Sequence, residues 1–366
     1  MQALVEIMML CRIRDLCLQL APADLIISHI VQLSDWPSLM CQDTVLAQCF
    51  NYSDSGEQNI TKGYPPSKAW LKHIAKKLES SIQNSVTDEN ADIFSDSFIK
   101  FMIETKLSRP DDDDSAFVSY RSILEDNSLC TLKVLRYHNQ VGTKVWEAGL
   151  FLGELLVLSN LNFSNRTIVE LGAGVGVTGL IYMKSIFNSP NMPVNYIMTD
   201  YDRTVLENLS NNIQLNFPWQ QNAESSVVSA RAVDWSTLSD VDALSMNADI
   251  ILAADCTYSE DTNTHLVNCI RMFLDLKNSN RKNYVLDVDA AQRSMSKVES
   301  IVVRGIPFAV IACTVRNPAT FNDFIGKLNQ TSSLSWSDET EWALSTVPVP
   351  IYYYENRSHI KVIVIF

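Results

Sequence analysis

Arg166-Thr-Ile-Val-Glu170-Leu-Gly172-Ala-Gly174-Val-Gly176-Val-Thr-Gly179 is the stretch that decides the fold. Thr167 to Leu171 is a short β-branched run with little polar alternation, which predicts a strand buried on both faces. Three glycines at every second position follow at once, and Val177 to Phe187 then reads as a helix. Strand, glycine turn and helix open a nucleotide-binding α/β unit. Glycine allows φ > 0 and lets a ligand approach with no Cβ in the way. The helix N-terminus adds unpaired N–H groups beside that ligand.

The register of the glycines bears on which ligand. The dinucleotide pattern G-x-G-x-x-G fits on Gly174, Gly176 and Gly179, but leaves two residues between the strand and its first glycine. The pattern E-x-G-x-G-x-G fits better, with Gly172 ending the strand and Glu170 two residues before it. A carboxylate there suits a ligand with a cationic amino group. S-adenosylmethionine has an α-ammonium and a sulfonium and no phosphate, so the stretch favours it over a dinucleotide. A glycine turn with no ligand stays open, because glycine spacing taken singly is a weak signal.

The chain has 366 residues, enough for two domains or one large one. A net charge of -13 argues against non-specific nucleic-acid binding and is compatible with a basic protein partner. The eight cysteines form no C-x-x-C pair, so neither zinc nor a thioredoxin motif is indicated. Scattered thiols in apolar runs fit a reducing compartment. Glu6, Arg12, Arg14, Asp15 and Asp24 interrupt the apolar N-terminus, so no membrane span or signal peptide is expected there. The expected location is the cytoplasm.

Residues 1–107 read as a small helical N-terminal domain. Leu4, Ile7, Met8 and Cys11 recur on one helix face, and Ser67 is placed to cap a helix running to Leu78. Residues 93–103 read as another short helix. Four aspartates after Pro110 mark an acidic linker over 108–116. The larger domain, 117–366, opens with two β-prone runs, 117–124 and 130–137, a plausible hairpin. A turn at Gly142 then leads into a strongly apolar helix with Trp146 at its start. Trp146 either covers the methionine end of the cofactor or packs the helix on the sheet.

Beyond the glycines, strands and helices alternate. Val194 to Asp200 is a strand ending in an acid that can accept both ribose hydroxyls, with Asp202 as its competitor. Ser229 to Trp235 is a third strand. Its Asp234 is placed to accept from the adenine amino group or to cap a helix before Ser236, and Trp235 to pack on the purine. Ala248 to Ala254 is a fourth strand with a small tip, and Asp255 and Tyr258 leave its carboxyl edge. There they either hold a nucleophilic amine or act as a helix cap and a packed loop tyrosine. Phe308 to Thr314, Ser333 to Trp336 and His359 to Phe366 complete the set. The fold class expected is α/β: a seven-stranded Rossmann-like doubly wound sheet with an antiparallel closing strand.

Taken together, Val145-Trp146, Glu170-Leu-Gly-Ala-Gly-Val-Gly176, Thr199-Asp200, Asp234-Trp235 and Ala254-Asp255-Cys-Thr-Tyr258 resemble the class I S-adenosylmethionine-dependent methyltransferases. Within them the chain looks like the protein-lysine methyltransferases with a D-x-x-Y motif after strand four. Thr314-Val-Arg316-Asn317-Pro318 and Tyr64-Pro-Pro-Ser67 are similar to the elongation factor 2 lysine methyltransferases. The resemblance covers about residues 60–366. It implies cofactor contacts at Trp146, Gly172, Ala173, Gly174, Asp200, Trp235 and Ala254, to which the reading above adds Glu170 and Asp234. It implies lysine-side roles for Asp255, orienting the ammonium, and Tyr258, aiming the lone pair. No metal is implied. The expected partner is elongation factor 2, with no direct nucleic acid and no membrane, and a monomer is expected. Two stretches depart from the pattern: the first forty-odd residues, and 284–307, which reads as an inserted loop or an artefact of the gene.

Overall fold

Ile13, Leu16, Cys17 and Leu18 form the buried side of the first helix, α1 (Gln2–Leu18), in the computed structural model of the chain. The residues it describes are 2–52, 64, 66–86, 92–107, 115–124, 128–135, 141–187, 189–220, 226–279 and 296–366. The helices α2 (Ala23–Ile30) and α3 (Leu39–Cys49) pack with α1 and cover its C-terminal half. Its first two turns are left to solvent, with Leu4, Ile7 and Met8 exposed at 62, 58 and 64%. Cys11 is exposed too. The stripe read on one helix face is therefore the exposed face of α1. Arg14 is buried, and its guanidinium donates at 2.8 Å to the carbonyls of Cys49 and of Asn51. A cation there satisfies orphan carbonyls at the end of α3.

Ser67 caps α4 (Lys68–Ser85) as expected, its hydroxyl accepting the Trp70 N–H at 3.2 Å. Ile74, Ala75, Leu78 and Ile82 face inward, while Lys77 on the polar side pairs with Asp24 at 2.7 Å. Pro65 lies outside the described residues. The helix expected over 93–103 is α5 (Asp96–Leu107). The hairpin forms from β1 (Ser115–Arg121) and β2 (Leu129–Leu135), antiparallel with Tyr120 opposite Cys130.

The hairpin groups with the helices. The chain divides into Met1–Ser122 with Asn127–Tyr137, and Ile123–Asp126 with His138–Phe366. The sequence reading had put the hairpin in the larger domain. Arg121 explains the difference, since its guanidinium lies 2.8 Å from Asp15 of α1, a partner 106 residues away. Of the acidic linker, 108–114 lie outside the described residues, and Ser115 and Ala116 already belong to β1.

The second unit alternates as expected. It runs α6 (Glu147–Leu158), β3 (Thr167–Leu171), α7 (Val177–Ile186), β4 (Asn195–Asp200), α8 (Arg203–Asn216), β5 (Val228–Ala232) and α9 (Asp240–Met246). Then come β6 (Ile250–Ala254), α10 (Glu260–Ser279), α11 (Lys297–Val303), β7 (Phe308–Thr314), α12 (Pro318–Gln330), β8 (Trp336–Asp338), α13 (Thr340–Thr346) and β9 (Ile360–Ile365). The seven strands order as β5-β4-β3-β6-β7-β9-β8. The first five are parallel. β9 inserts antiparallel between β7 and β8, with Ala309 and Trp336 both opposite Ile365. This is the doubly wound sheet with its antiparallel closing strand.

Side chains alternate across the sheet. Val169 and Leu171 of β3 join Ile251, Ala253, Ala309 and Ile311 in one core, against Leu266, Ile270 and Phe273 of α10. Glu170, between them, points to the opposite face. Three helices of the second unit escape the sequence reading: α9 and α13 are short, seven residues or about two turns each, and α11 lies in the stretch 284–307. Of that stretch, 284–295 lie outside the described residues. The remainder starts with a capping box, in which Ser296 and Glu299 bond each other's backbone N–H. The signal Ser296-Lys-Val-Glu299 is legible in the sequence, and with it this part is ordinary helix. Among the described residues no helix is long and apolar enough to cross a membrane.

Candidate active site

The loop after β3 is held open by left-handed backbone. Gly172, Gly174 and Gly176 take φ of +62, +57 and +85°, which side chains with a Cβ adopt only at a cost. A Cβ on Gly172 would come within 2.8 Å of Cys256 Sγ and 3.2 Å of the Trp235 ring. One on Gly174 would meet the Gly142 carbonyl at 3.0 Å. Ala173 and Gly174 turn their amides toward β4: the Ala173 N–H donates to the Thr199 carbonyl at 2.8 Å, and the Gly174 N–H to Asp200 Oδ2 at 3.2 Å. The Val141–Thr143 turn roofs Gly174.

Glu170 is placed elsewhere than the cofactor reading put it. It is 2% exposed, beneath the loop, where the Tyr196 hydroxyl donates to Oε2 at 2.8 Å and Thr178 and the Gly179 amide also bear on it. Burial raises its pKa to about 7, against the lowering effect of those donors. Its place is the seam between α7 and β4. The alternation of β3 dictates this, because a residue one position before the last points to the face opposite Leu171.

Asp200 ends β4 beside the loop, 93% buried by its 7% exposure. Oδ1 accepts the N–H of Tyr201 at 2.8 Å and of Asp202 at 3.2 Å. Burial raises its pKa, opposed by these two backbone donors and the Gly174 N–H. Its competitor Asp202 is the N-cap of α8 and is engaged with the N–H of Thr204 and Val205. Asp234 lies beyond the tip of β5. Its Oδ1 accepts from the Ser236 N–H at 2.8 Å and hydroxyl at 2.6 Å, which lowers its pKa. Trp235 is half-buried against the core with its ring against Gly172.

Asp255 and Tyr258, which follow β6, differ in burial. Asp255 is left-handed, at φ +52°, and its side chain is 4% exposed. Its carboxylate accepts the Thr314 N–H at 2.7 Å, the Thr314 hydroxyl at 3.1 Å and the Ala148 N–H at 3.2 Å. It thereby ties the tip of β7 to the N-terminus of α6. Tyr258 is 57% exposed. Desolvation around its hydroxyl raises its pKa, and the groups bearing on it are Thr262, Cys256, Tyr201 and Asp200. The acid is thus buried and bonded to neighbouring segments, while the phenol is exposed. Ala254 faces α6, its Cβ 3.9 Å from the place where Gly149 would carry one.

Trp146 is the N-cap residue of α6, and its indole N–H donates to the Val141 carbonyl at 2.8 Å, holding the roof. Across its ring, 5.0 Å from the centroid, lies the Arg316 guanidinium. Arg316 also reaches Glu147 Oε2 at 2.6 Å and Asp255 Oδ1 at 3.5 Å. Glu147 in turn accepts from the Asn356 amide at 2.8 Å. The sequence reading gives Glu147 no role, and Arg316 none beyond its place in the Thr314–Pro318 motif. An acid in the first turn of a helix is the only local signal for Glu147. Glu154, fully buried on the same helix, was missed as well. It accepts the N–H of Ile351 and Tyr352 and the Tyr354 hydroxyl at 2.8–2.9 Å, pinning 351–354 to α6, and burial raises its pKa to about 7.

The edge thus offers bare glycine backbone, a buried carboxylate at the neighbouring strand tip and an exposed phenol. Those features are compatible with a cationic nucleoside ligand such as S-adenosylmethionine, and the missing side chains at Gly172 and Gly174 let Cys256, Trp235 and the Gly142 carbonyl close on the loop. Residues 128–297 match the family model described as lysine methyltransferase. The chain is similar to the Protein-lysine N-methyltransferase EEF2KMT of Bos taurus, 29% identical over 226 residues, or 58% of each chain. Against the protein of that name from Mus musculus it is 34% identical over 143 residues, 38% of this chain and 41% of that one. A Protein-lysine N-methyltransferase EFM3 of Chaetomium thermophilum is 24% identical over 253 residues, 64% of this chain and 70% of that one. The chain spans about half the length of the first two of these relatives.

Proposed function

We infer, on the premise that residues 128–297 belong to the lysine methyltransferase family, that this protein methylates a protein lysine with S-adenosylmethionine as donor, and that its substrate is elongation factor 2. The observation that carries the reading is the loop of three left-handed glycines beside the buried Asp200 carboxylate, at the carboxyl edge of a doubly wound sheet. Thr314-Val-Arg-Asn-Pro318 and the relatives named EEF2KMT support the elongation factor 2 branch. The eight cysteines, seven of them buried, fit a reducing cytoplasm.

When bound, S-adenosylmethionine supplies a methyl carbon on a sulfonium, which a lysine nitrogen takes in line as the carbon–sulfur bond breaks and its electron pair stays on sulfur. The chain's own groups bind and aim. Asp200 accepts from ribose hydroxyls, Trp235 backs the loop, and the Trp146–Val141 bond holds the roof over Gly174. A free lysine has a pKa of about 10.4, so it sheds a proton to water before it attacks. Tyr258, exposed beyond the end of β6, aims the resulting lone pair. Asp255 acts by fixing the tips of α6 and β7 around the site. Positioning carries most of the rate in such a reaction.

The test is transfer of radiolabelled methyl from S-adenosylmethionine to purified, unmethylated elongation factor 2, with the labelled residue located by mass spectrometry. Label on one lysine is the expected result. Label on a different protein of a whole lysate, with none on elongation factor 2, overturns the substrate. No label anywhere overturns the activity.

A further inference from the structure

The Val141–Thr143 turn is wedged between α8 and the glycine loop. A Cβ on Gly142 would fall 2.9 Å from Val205 of α8, and the Gly142 carbonyl lies 3.0 Å from where Gly174 would carry a Cβ. The Val141 carbonyl of this turn accepts the Trp146 indole N–H at 2.8 Å. That bond fixes one edge of the indole and leaves its faces to other neighbours. Over one face lies Arg316, which follows β7, with its guanidinium 5.0 Å from the ring centroid. We propose that Arg316 is a positioning residue for the methyl donor: clamped by Glu147 and Asp255, it holds the Trp146 ring, and through it the Val141–Thr143 turn, in the place that S-adenosylmethionine binding needs. The proposal rests on the S-adenosylmethionine half of the reading above and deepens it.

Trp146 is an N-cap residue with extended backbone, at φ −112° and ψ 149°, so the helix ladder does not fix its side chain. Its one indole bond is exposed to water, where a single hydrogen bond contributes little. A guanidinium over the ring adds the attraction of a cation for the π face. Its planar fork can cover an aromatic face while its N–H groups reach carboxylates at the side, which a lysine ammonium cannot do. Arg316 has both carboxylates, with Nη2 2.6 Å from Glu147 and Nη1 3.5 Å from Asp255. Each anion is anchored in turn. Glu147 accepts from the Asn356 amide, and Asp255 from Thr314 and the Ala148 N–H. The acid side chains are 18% and 4% exposed against 45% for Arg316, so two fixed anions tether the more exposed cation. The sign of its effect separates a clamp from a bystander charge. S-adenosylmethionine has a sulfonium, an ammonium and a carboxylate, and is a net cation. A bystander arginine would repel it, and removing that charge would strengthen binding. Removing a clamp weakens binding.

The test is calorimetry of the full-length native protein and of Arg316→Ala with S-adenosylmethionine and with S-adenosylhomocysteine, the sulfide of no net charge that remains once the methyl is gone. Arg316→Ala should lose affinity for both ligands by a common factor of about threefold or more, the size expected of one half-exposed cation–π contact. Arg271→Ala removes an arginine of similar exposure from a surface pair with Asp275 on α10, and should bind as the native protein does. Unchanged affinities in Arg316→Ala, or tighter S-adenosylmethionine with unchanged S-adenosylhomocysteine, overturns the proposal. The Trp146 indole N–H gives a readout that needs no ligand, its nitrogen-15 resonance being assigned by its loss in Trp146→Phe. Hydrogen exchange at that N–H should be faster in Arg316→Ala than in the native protein, and an unchanged rate overturns the clamp. If Arg316→Ala lacks a cooperative melt, Arg316→Gln takes the same measurements. Failure of the native protein to bind either nucleoside strikes the methyl-transfer reading, and the exchange rate then decides the clamp by itself.

Discussion

Gly179 lies so close to Glu170 that a Cβ on it would fall 2.8 Å from the Glu170 carboxylate, and 2.5 Å from both Tyr196 Cε1 and Met198 Cε. The third glycine of the apparent dinucleotide pattern is therefore a packing glycine. It lets α7 press onto β3 and β4. Gly179→Ala should destabilise by about 1–3 kcal/mol through overpacking, read as a lower urea midpoint with unchanged slope. Gly326 in α12 has nothing within 4 Å of its missing Cβ. Gly326→Ala should stabilise by about 0.5–1 kcal/mol from helix propensity, which makes it the matched control.

Glu154 and Glu170 are buried and have pKa values raised from 4.5 to about 7. An acid whose folded pKa exceeds its unfolded one holds its proton more tightly when folded. Stability from these groups is complete below about 4.5 and falls as pH rises toward about 7. The steepest slope is on the order of 1.4 kcal/mol per pH unit for each group. Glu154→Gln should flatten the fall of stability between pH 5 and about 7, measured by chemical denaturation across that range. An unchanged slope would show that Glu154 is ionised in the native state throughout.

Asp200 accepts three backbone N–H bonds, one of them from the glycine loop. Asp200→Asn replaces one accepting oxygen with a donor and turns it toward an N–H. The expected result is at least a tenfold loss of S-adenosylmethionine affinity by calorimetry, with a largely intact melt. Asp202→Asn keeps an N-cap and should leave affinity within twofold.

The difference in burial between Asp255 and Tyr258 separates stability from turnover. Asp255→Ala strands the Thr314 and Ala148 donors and puts alanine at φ +52°. A loss of about 3 kcal/mol is expected, seen as a large drop in melting temperature. Tyr258→Phe removes one hydroxyl from a 57% exposed residue and should stay within about 0.5 kcal/mol of native stability. Its effect should fall on kcat, at least tenfold, with the KM for S-adenosylmethionine unchanged. A Tyr258→Phe protein with native turnover would remove the phenol from the mechanism.

What the sequence determined by itself is local. The short, largely apolar runs of Thr167–Leu171 and Phe308–Thr314, the glycines at 172, 174 and 176, and the acid closing β4 are set by residues within a few positions of one another. Backbone conformation and strand burial follow from that range of interaction, so the sheet and its glycine loop were legible. The tertiary structure decided where each charged side chain found its partner. Glu170 turned inward to Tyr196, and Asp255 turned to Thr314 and Ala148. Arg121 drew the hairpin to α1, and Arg316 reached Glu147 across 169 residues of chain. A carboxylate or a guanidinium is stabilised by whatever donors or acceptors surround it in space. In this chain those partners come from segments that only folding brings together.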